Sequence, residues 1–239
     1  MADSGRIEAL CAKLSPSRVA LMRRALDWRT RRITVVLEDV FQSHNASAVL
    51  RTCDALGIQE AHVIENRNRF VPSRNVDMGA SKWMDVRRYA LPTARRRRSN
   101  EPRELEIGED CLANTRAALE GLKARGFLLA ASTLRTGAAD ISEVPVDGPV
   151  AVMIGTELTG LTSAAHDMAD ILFSVPMLGF VQSMNLSVFG ALCLSSLAGK
   201  MRARSDEWRL SSRERDELML DWLGRCSADA RAEGFPRRA

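Results

Sequence analysis

Residues 33–65 read ITVVLEDVFQSHNASAVLRTCDALGIQEAHVIE, and their order of patterns decides the fold class. Ile33–Glu38 is an apolar run rich in β-branched residues, which predicts a strand. Asn45–Leu56 predicts a helix closed by Gly57, a residue suited to the left-handed turn that ends helices. Ala61–Glu65 then predicts a second strand. Two strands joined through a helix pair in parallel, because a parallel pair needs a crossover connection. The opening is β-α-β, and the class it implies is α/β with helices on both faces of a parallel sheet.

The same alternation continues outward. Upstream, PSRVALMRRALDWR at 16–29 sets Val19, Met22 and Leu26 at helical spacing behind Pro16 and Ser17, which are start signals. Downstream, 67–80 has mixed polarity and predicts a loop with short helical turns, followed by a strand at Val86–Ala90. The run RRRRSNEPRELEIG at 95–108 offers nothing apolar enough to start a core and predicts a polar loop. A helix at Cys111–Arg125 gathers Leu112, Thr115, Leu119 and Leu122 on one face. Strands are predicted at Phe127–Ala131, Val150–Ile154 and Ile171–Val175, an amphipathic helix at Asn185–Met201, and a last helix at Asp206–Leu223. The organisation expected is a basic helical arm over 1–30, one α/β domain over 31–203 and a helical extension over 204–239.

Charge and composition narrow the partners. The opening MADSGRIEAL lacks the basic start and apolar stretch of a secretory signal. The most apolar region, Ile171–Gly199, is broken by Pro176, Gln182, Ser183 and Asn185, whereas a membrane helix needs about 20 uninterrupted apolar residues. A cytoplasmic protein with no membrane partner is expected. The five cysteines are widely spaced with no C-x-x-C pair, and the three histidines are scattered, so no metal site is expected. Residues 67–98 hold ten Lys/Arg against two acids, and residues 1–32 hold eight against three. Positive charge so concentrated suits a polyanion such as nucleic acid, or else a solvated face. Aromatic residues make up only 5% of the chain, which argues against rows of base-stacking platforms.

Three segments place polar residues where an α/β fold exposes the carboxyl ends of its strands, the edge at which such sheets bind ligands. In the first, residues 41–57, Asn45 or Ser47 can cap the helix and Arg51 can pair with Asp54 on its surface. The second, Val150–Gly160, is a strand entering a glycine-bearing turn. Its spacing is that of a dinucleotide-binding G-x-G-x-x-G, but Glu157 stands at the middle glycine, where a carboxylate repels phosphates. A nicotinamide dinucleotide is therefore disfavoured, and no P-loop sequence occurs. The third, Val175–Ser187, is an apolar loop whose Ser183, Asn185 and Ser187 precede a helix; such a loop can wall a pocket for a flat uncharged ring. The three together contain no His/Cys/Ser triad and no metal-ligand set, which disfavours hydrolysis.

Over about residues 16–203 the chain resembles the SPOUT superfamily of methyltransferases, and within it the TrmH-type tRNA guanosine 2′-O-methyltransferases. The motifs that carry the resemblance are His44-Asn45-x-Ser47-Ala48-x-x-Arg51-Thr52-x-Asp54-Ala55-x-Gly57, then Gly155-x-Glu157-x-x-Gly160-Leu161, then Pro176-Met177-x-Gly179 with Ser183-Met184-Asn185-Leu186-Ser187. The resemblance implies a SPOUT-type parallel sheet with a deep C-terminal trefoil knot, S-adenosyl-L-methionine held bent in the knot, and a homodimer with shared active sites. It implies a cofactor pocket lined by Ser132, Thr133, Leu134, Ile154, Gly155, Gly160, Val175, Met177, Leu186 and Ser187. It makes Arg51 the catalytic residue, with Asn45, Glu157, Ser183 and Asn185 positioning it, the cofactor or the ribose.

Related ribosomal RNA methyltransferases often carry a separate N-terminal RNA-binding domain, whereas this chain has the short basic arm PSRVALMRRALDWRTRR, as in the tRNA branch that modifies a D-loop guanosine. The expected RNA contacts are Arg18, Arg23 and Arg29 of the arm, His44, Arg67 and Arg69 beside the first motif, and Arg95 and Arg96 of the polar loop. A ribosomal RNA substrate and a non-catalytic RNA-binding protein on the same fold are the alternatives.

Overall fold

The computed structural model describes residues 2–95, 107–156 and 158–226. Helices α1 (Ala2–Cys11) and α2 (Pro16–Leu26) lead into β1 (Thr30–Glu38), α3 (Ser43–Ala55) and β2 (Ile58–Glu65). Then come α4 (Arg74–Asp77), β3 (Asp85–Ala90), α5 (Glu109–Ala124), β4 (Leu128–Ser132), β5 (Ala139–Asp140) and β6 (Val150–Ile154). The chain continues through α6 (Ser163–Met168), β7 (Ile171–Ser174), α7 (Leu186–Arg204) and α8 (Ser212–Cys226). The described strands form one seven-stranded sheet in the order β3-β2-β1-β6-β4-β7-β5, and every pairing is parallel.

Both faces of this sheet are covered, which is why its central strands read as unbroken apolar runs. Successive side chains of a strand point to opposite faces. Ile33, Val35 and Leu37 of β1 therefore pack with Val150, Val152 and Ile154 of β6 beneath α3 and α7. Val36 of β1 and Ala151 and Met153 of β6 turn the other way, against Leu119 and Leu122 of α5 and Ala165 of α6. On α7 the buried set Cys193, Leu194, Leu197, Ala198 and Met201 recurs at three- and four-residue steps and forms the face laid on the sheet. Gly190 lets α7 approach α3 closely, since a Cβ there would lie 3.1 Å from Val49 Cγ2.

A third cluster lies apart from the sheet and joins the chain's two ends: Leu10 of α1, Met22 and Leu26 of α2, and Leu218, Met219, Trp222 and Leu223 of α8. Two of these helices add to the sequence expectation. Within the helical arm expected over 1–30, the sequence delimited no helix before Pro16, because the short polar stretch of α1 has little periodicity of its own; packing of Leu10 beneath α8 supplies its support. The last helix begins at Ser212 rather than Asp206. Ser211 and Glu214 form a reciprocal capping box there, with Ser211 N–H donating to Glu214 Oε2 at 2.9 Å and Glu214 N–H to Ser211 Oγ at 3.3 Å. Residues before it bury Trp208 and Leu210 without helix. The short strand β5 was also unanticipated, being two residues long.

On β2, Glu60 is buried and accepts hydrogen bonds from Arg87 Nε of the edge strand β3 at 2.6 Å and from both terminal nitrogens of Arg125, each at 2.6 Å. Burial opposes its charge, but His62, whose Nε2 lies 3.1 Å from Glu60 Oε1, and the hydrogen-bonded Arg125 outweigh burial and hold its carboxyl far below the usual carboxylate range. A carboxyl whose folded pKa is depressed contributes stability above its unfolded pKa and loses it as the pH falls through the folded value. Glu60→Gln is expected to cost about 2 kcal/mol at pH 7, less than a fully buried pair because both arginines are partly exposed. That corresponds to a melting temperature lower by roughly 4–8 °C. Melts at pH 7 and below about pH 4 check it, with the gap between variant and wild type narrowing in acid.

Candidate active site

The parallel arrangement puts the carboxyl ends of β1, β4, β6 and β7 along one edge, and the three motif segments leave from that edge. Glu38, the last residue of β1, organises it. Its carboxylate is 1% exposed and accepts from Thr115 Oγ1 at 2.6 Å, Thr162 N–H at 2.8 Å and Thr162 Oγ1 at 2.7 Å. Burial pushes its pKa up, against these hydrogen bonds. Glu38 so ties the end of the second motif, which runs into the Thr162 cap of α6, to the first strand. Asp39, held at φ 53, accepts from the backbone N–H of Arg67 at 2.7 Å and of Asn68 at 2.8 Å, and fixes the loop beyond β2. Neither carboxylate was singled out in the sequence; only their position just past a strand end marked them.

The first motif occupies α3. Helix α3 starts at Ser43 with Gln42 as its N-cap, so Asn45 and Ser47 lie inside the helix and do not cap it. Ser47 instead donates to Ser43 O at 2.8 Å and accepts Ser73 N–H at 2.9 Å. Asn45 faces α7, and its Oδ1 accepts from Asn185 Nδ2 at 3.3 Å. Asn185 Oδ1 in turn accepts Ser187 N–H at 2.9 Å and Ser187 Oγ–H at 2.6 Å, capping α7. First and third motifs thus meet through two amides, 140 residues apart in sequence.

Arg51 lies six residues beyond Asn45, about 240° around the helix, and is exposed. The anticipated Arg51–Asp54 pair does not form, because Asp54 is bound by Arg29.

In the second motif, Thr156 and Gly160 close a tight turn through Thr156 N–H to Gly160 O and Gly160 N–H to Thr156 O, both 3.0 Å. A Cβ on Gly155 would lie 2.1 Å from Gly160 C and 2.3 Å from Leu161 N, so only glycine fits there. Gly160 itself adopts φ +70. Glu157 lies outside the described residues.

Between the turn and the third motif is a cavity of about 660 Å³, in the size range of small-molecule sites. Ser132, Thr133, Leu134, Ile154, Gly155, Gly160, Val175, Met177, Leu186 and Ser183 all line it, whereas Ser187 is occupied at the α7 cap. Sequence reasoning missed Arg135, His166 and Phe189, which also line it. His166 had no local signal, being a lone histidine on a short helix. Its Nδ1 is buried with no hydrogen-bond partner, and burial, then the Arg135 charge, pull its pKa down.

The cavity suits S-adenosylmethionine. Ile154, Leu186 and Phe189 offer apolar walls for a flat ring, Ser132, Thr133 and Gln182 offer polar groups, and no carboxylate lines it among the described residues. Of the anticipated RNA contacts, Arg18, Arg23, His44, Arg69 and Arg95 are exposed, and Arg96 lies outside the described residues. Two are corrected. Arg29 is 4% exposed, paired with Asp54 and set over the Trp222 ring at 5.2 Å, so packing removes it from the surface. Arg67 is directed onto Asp39, Nε to Oδ2 at 2.6 Å, with its side chain 11% exposed.

A parallel α/β sheet with a ligand-sized cavity among the loops at its carboxyl edge defines the class, and comparison with known proteins defines the family. A model of the SpoU rRNA methylase family matches residues 94–195. The chain is similar to the tRNA (guanosine(18)-2'-O)-methyltransferase of Borreliella burgdorferi, 31% identical over 217 residues that cover 91% of this chain and 89% of that one. Its fold is like that of the TrmH/SpoU tRNA modifying enzyme of A. aeolicus, with TM-score 0.70, 24% identity and coverage of 87% of this chain and 95% of that one. It is also like the SpoU methyltransferase AviRb from Streptomyces viridochromogenes in complex with the cofactor AdoMet, with TM-score 0.54, 18% identity and coverage of 76% and 62%. The chain belongs to the SpoU methylase family.

Proposed function

We propose that this chain transfers a methyl group from S-adenosylmethionine to the ribose 2′-hydroxyl of guanosine 18 in the D-loop of tRNA. The observation that carries this reading is that the second and third motifs enclose one apolar-walled cavity, while Asn185 beside it is hydrogen-bonded to Asn45 of the first motif. The substrate assignment follows the tRNA (guanosine(18)-2'-O)-methyltransferase that the chain matches over most of its length.

When bound, the cofactor supplies an electrophilic methyl group on a sulfonium sulfur. The residues of the chain hold and orient the reactants, and orientation with stabilisation of the developing oxyanion supplies most of the rate in such a displacement. Ile154, Leu186 and Phe189 would pack against the cofactor's flat ring and keep water from it. Asn45 and Asn185 fix each other and the start of α7. Arg51 acts on the ribose or its neighbouring phosphate; its guanidinium offers five N–H donors and no acceptor, so it serves as a clamp more readily than as a proton acceptor.

Arg51 is not among the residues that line the cavity of its own chain, which favours a homodimer in which Arg51 completes the partner's site. The exposed apolar side chains of Leu178, Phe180, Val181, Val188 and Leu192 around the third motif support that assembly. The knotted path implied by the family resemblance belongs to the same proposal, with the loops after β6 and β7 as its strands, and so does action in the cytoplasm. Among the described residues no helix is long and apolar enough to cross a membrane.

The test is incubation of purified protein with an unmodified tRNA transcript and isotopically labelled cofactor, followed by nuclease mapping. One 2′-O-methylguanosine in the D-loop is expected. Label on a base, or none at all, would sink the proposal.

A further inference from the structure

A second cavity, also about 660 Å³, opens at the opposite edge of the sheet, where α2, the end of α3 and α8 meet. Its walls include Leu21, Trp28, Trp83 and Trp222, with Arg18 and Arg24 beside them. The fourth tryptophan of the chain, Trp208, stacks on Trp28 with ring centroids 5.8 Å apart and planes 19° apart. The four tryptophans of a chain whose composition argued against rows of stacking platforms are thus gathered at one corner.

Two features distinguish this cavity from ordinary packing. Trp28 is 54% and Leu21 48% exposed, a large apolar surface left open to water. The cationic side chains also outnumber the acids. Arg29 and Asp54 neutralise each other, and among the described residues no other acid lines the cavity. Arg18 lies against the Trp83 ring, its guanidinium 5.1 Å from the centroid, and Arg24 is exposed.

We propose that this cavity receives an unpaired nucleobase of the RNA substrate, with the base against Trp28 and the Arg18 guanidinium and its phosphate against Arg24. A flat apolar ring joined to an anion is the chemistry that open tryptophan and unneutralised arginine recognise together. An apolar peptide or a second copy of the chain would leave two guanidinium groups desolvated without a counter-charge. This role presupposes the RNA substrate proposed above. The nine residues of β1 separate the two edges, about 30 Å at the rise of an extended strand, so a folded RNA and not a mononucleotide must reach from one cavity to the other.

Tryptophan fluorescence reads the binding directly, because none of the four tryptophans lines the cofactor cavity. Titration with unmodified tRNA, and with guanosine monophosphate at higher concentration, is expected to quench the wild-type protein. Leu21→Glu and Arg24→Glu change exposed side chains and leave the fold intact. Each is expected to weaken tRNA affinity and raise KM for tRNA about tenfold, with kcat at saturating tRNA and cofactor affinity unchanged. Wild-type affinity and KM in both variants would overturn the proposal. So would a shift in oligomeric state at unchanged RNA affinity, which would assign the cavity to a second copy of the chain. Because binding is read without methyl transfer, a wild type that binds tRNA here but methylates nothing would remove the proposed activity and leave the cavity's role standing.

Discussion

Arg51→Ala is expected to lose about 10²–10³-fold in turnover, the scale on which removing one oriented donor to a developing oxyanion acts. Its melting temperature and cofactor affinity are expected to stay near wild type. The side chain is exposed and does not line the cavity, and exposed substitutions typically fall within about 0.5 kcal/mol. Arg51→Lys is expected to fail as well, because an ammonium point charge does not reproduce a planar fork. Mixing inactive Arg51→Ala with a second inactive variant altered in the cofactor cavity tests where Arg51 acts. If each site takes Arg51 from the partner subunit, mixed dimers regain one complete site and part of the activity. Full turnover by the lysine variant would remove the planar-geometry argument, and no recovery on mixing would return Arg51 to its own subunit's site.

Gly155→Ala is the second large effect. The added methyl would lie 2.1 Å from Gly160 C and 2.3 Å from Leu161 N, both backbone atoms that cannot swing aside. The turn must open, breaking the paired hydrogen bonds of Thr156 and Gly160 and shifting the cavity wall. A stability loss of about 1–3 kcal/mol is expected, with loss of detectable cofactor binding by calorimetry. Gly160→Ala is the control. Its Cβ meets nothing within 4 Å, so only the φ of +70 opposes it, a cost of roughly 1–2 kcal/mol. Binding is therefore expected to suffer much less at Gly160 than at Gly155. Equal binding losses would mean that backbone conformation, and not the close approach, shapes the wall.

Much of this was legible in the linear order of residues because it depends on local periodicity. The apolar run of β1, the helix that follows and the strand at Ala61–Glu65 identify a parallel α/β sheet wherever the rest of the chain goes. The spacing within 150–160 likewise places a glycine turn after a strand, and Glu157 in it disfavours a dinucleotide phosphate. Contacts between distant segments were not legible. That Asn45 binds Asn185 and not its own helix start, that Glu38 tethers Thr162, and that Asp54 is taken by Arg29 depend on which helix faces are pressed together. Basic residues made the same point. The sequence counted Arg29 and Arg67 with the surface arginines, but burial over Trp222 and a bond to Asp39 direct them inward. Residue type and spacing determined the elements and the chemistry available on each. Tertiary packing alone decided which polar groups are consumed in holding the fold and which remain free for a ligand, because a buried charge or amide must find its partner across the fold.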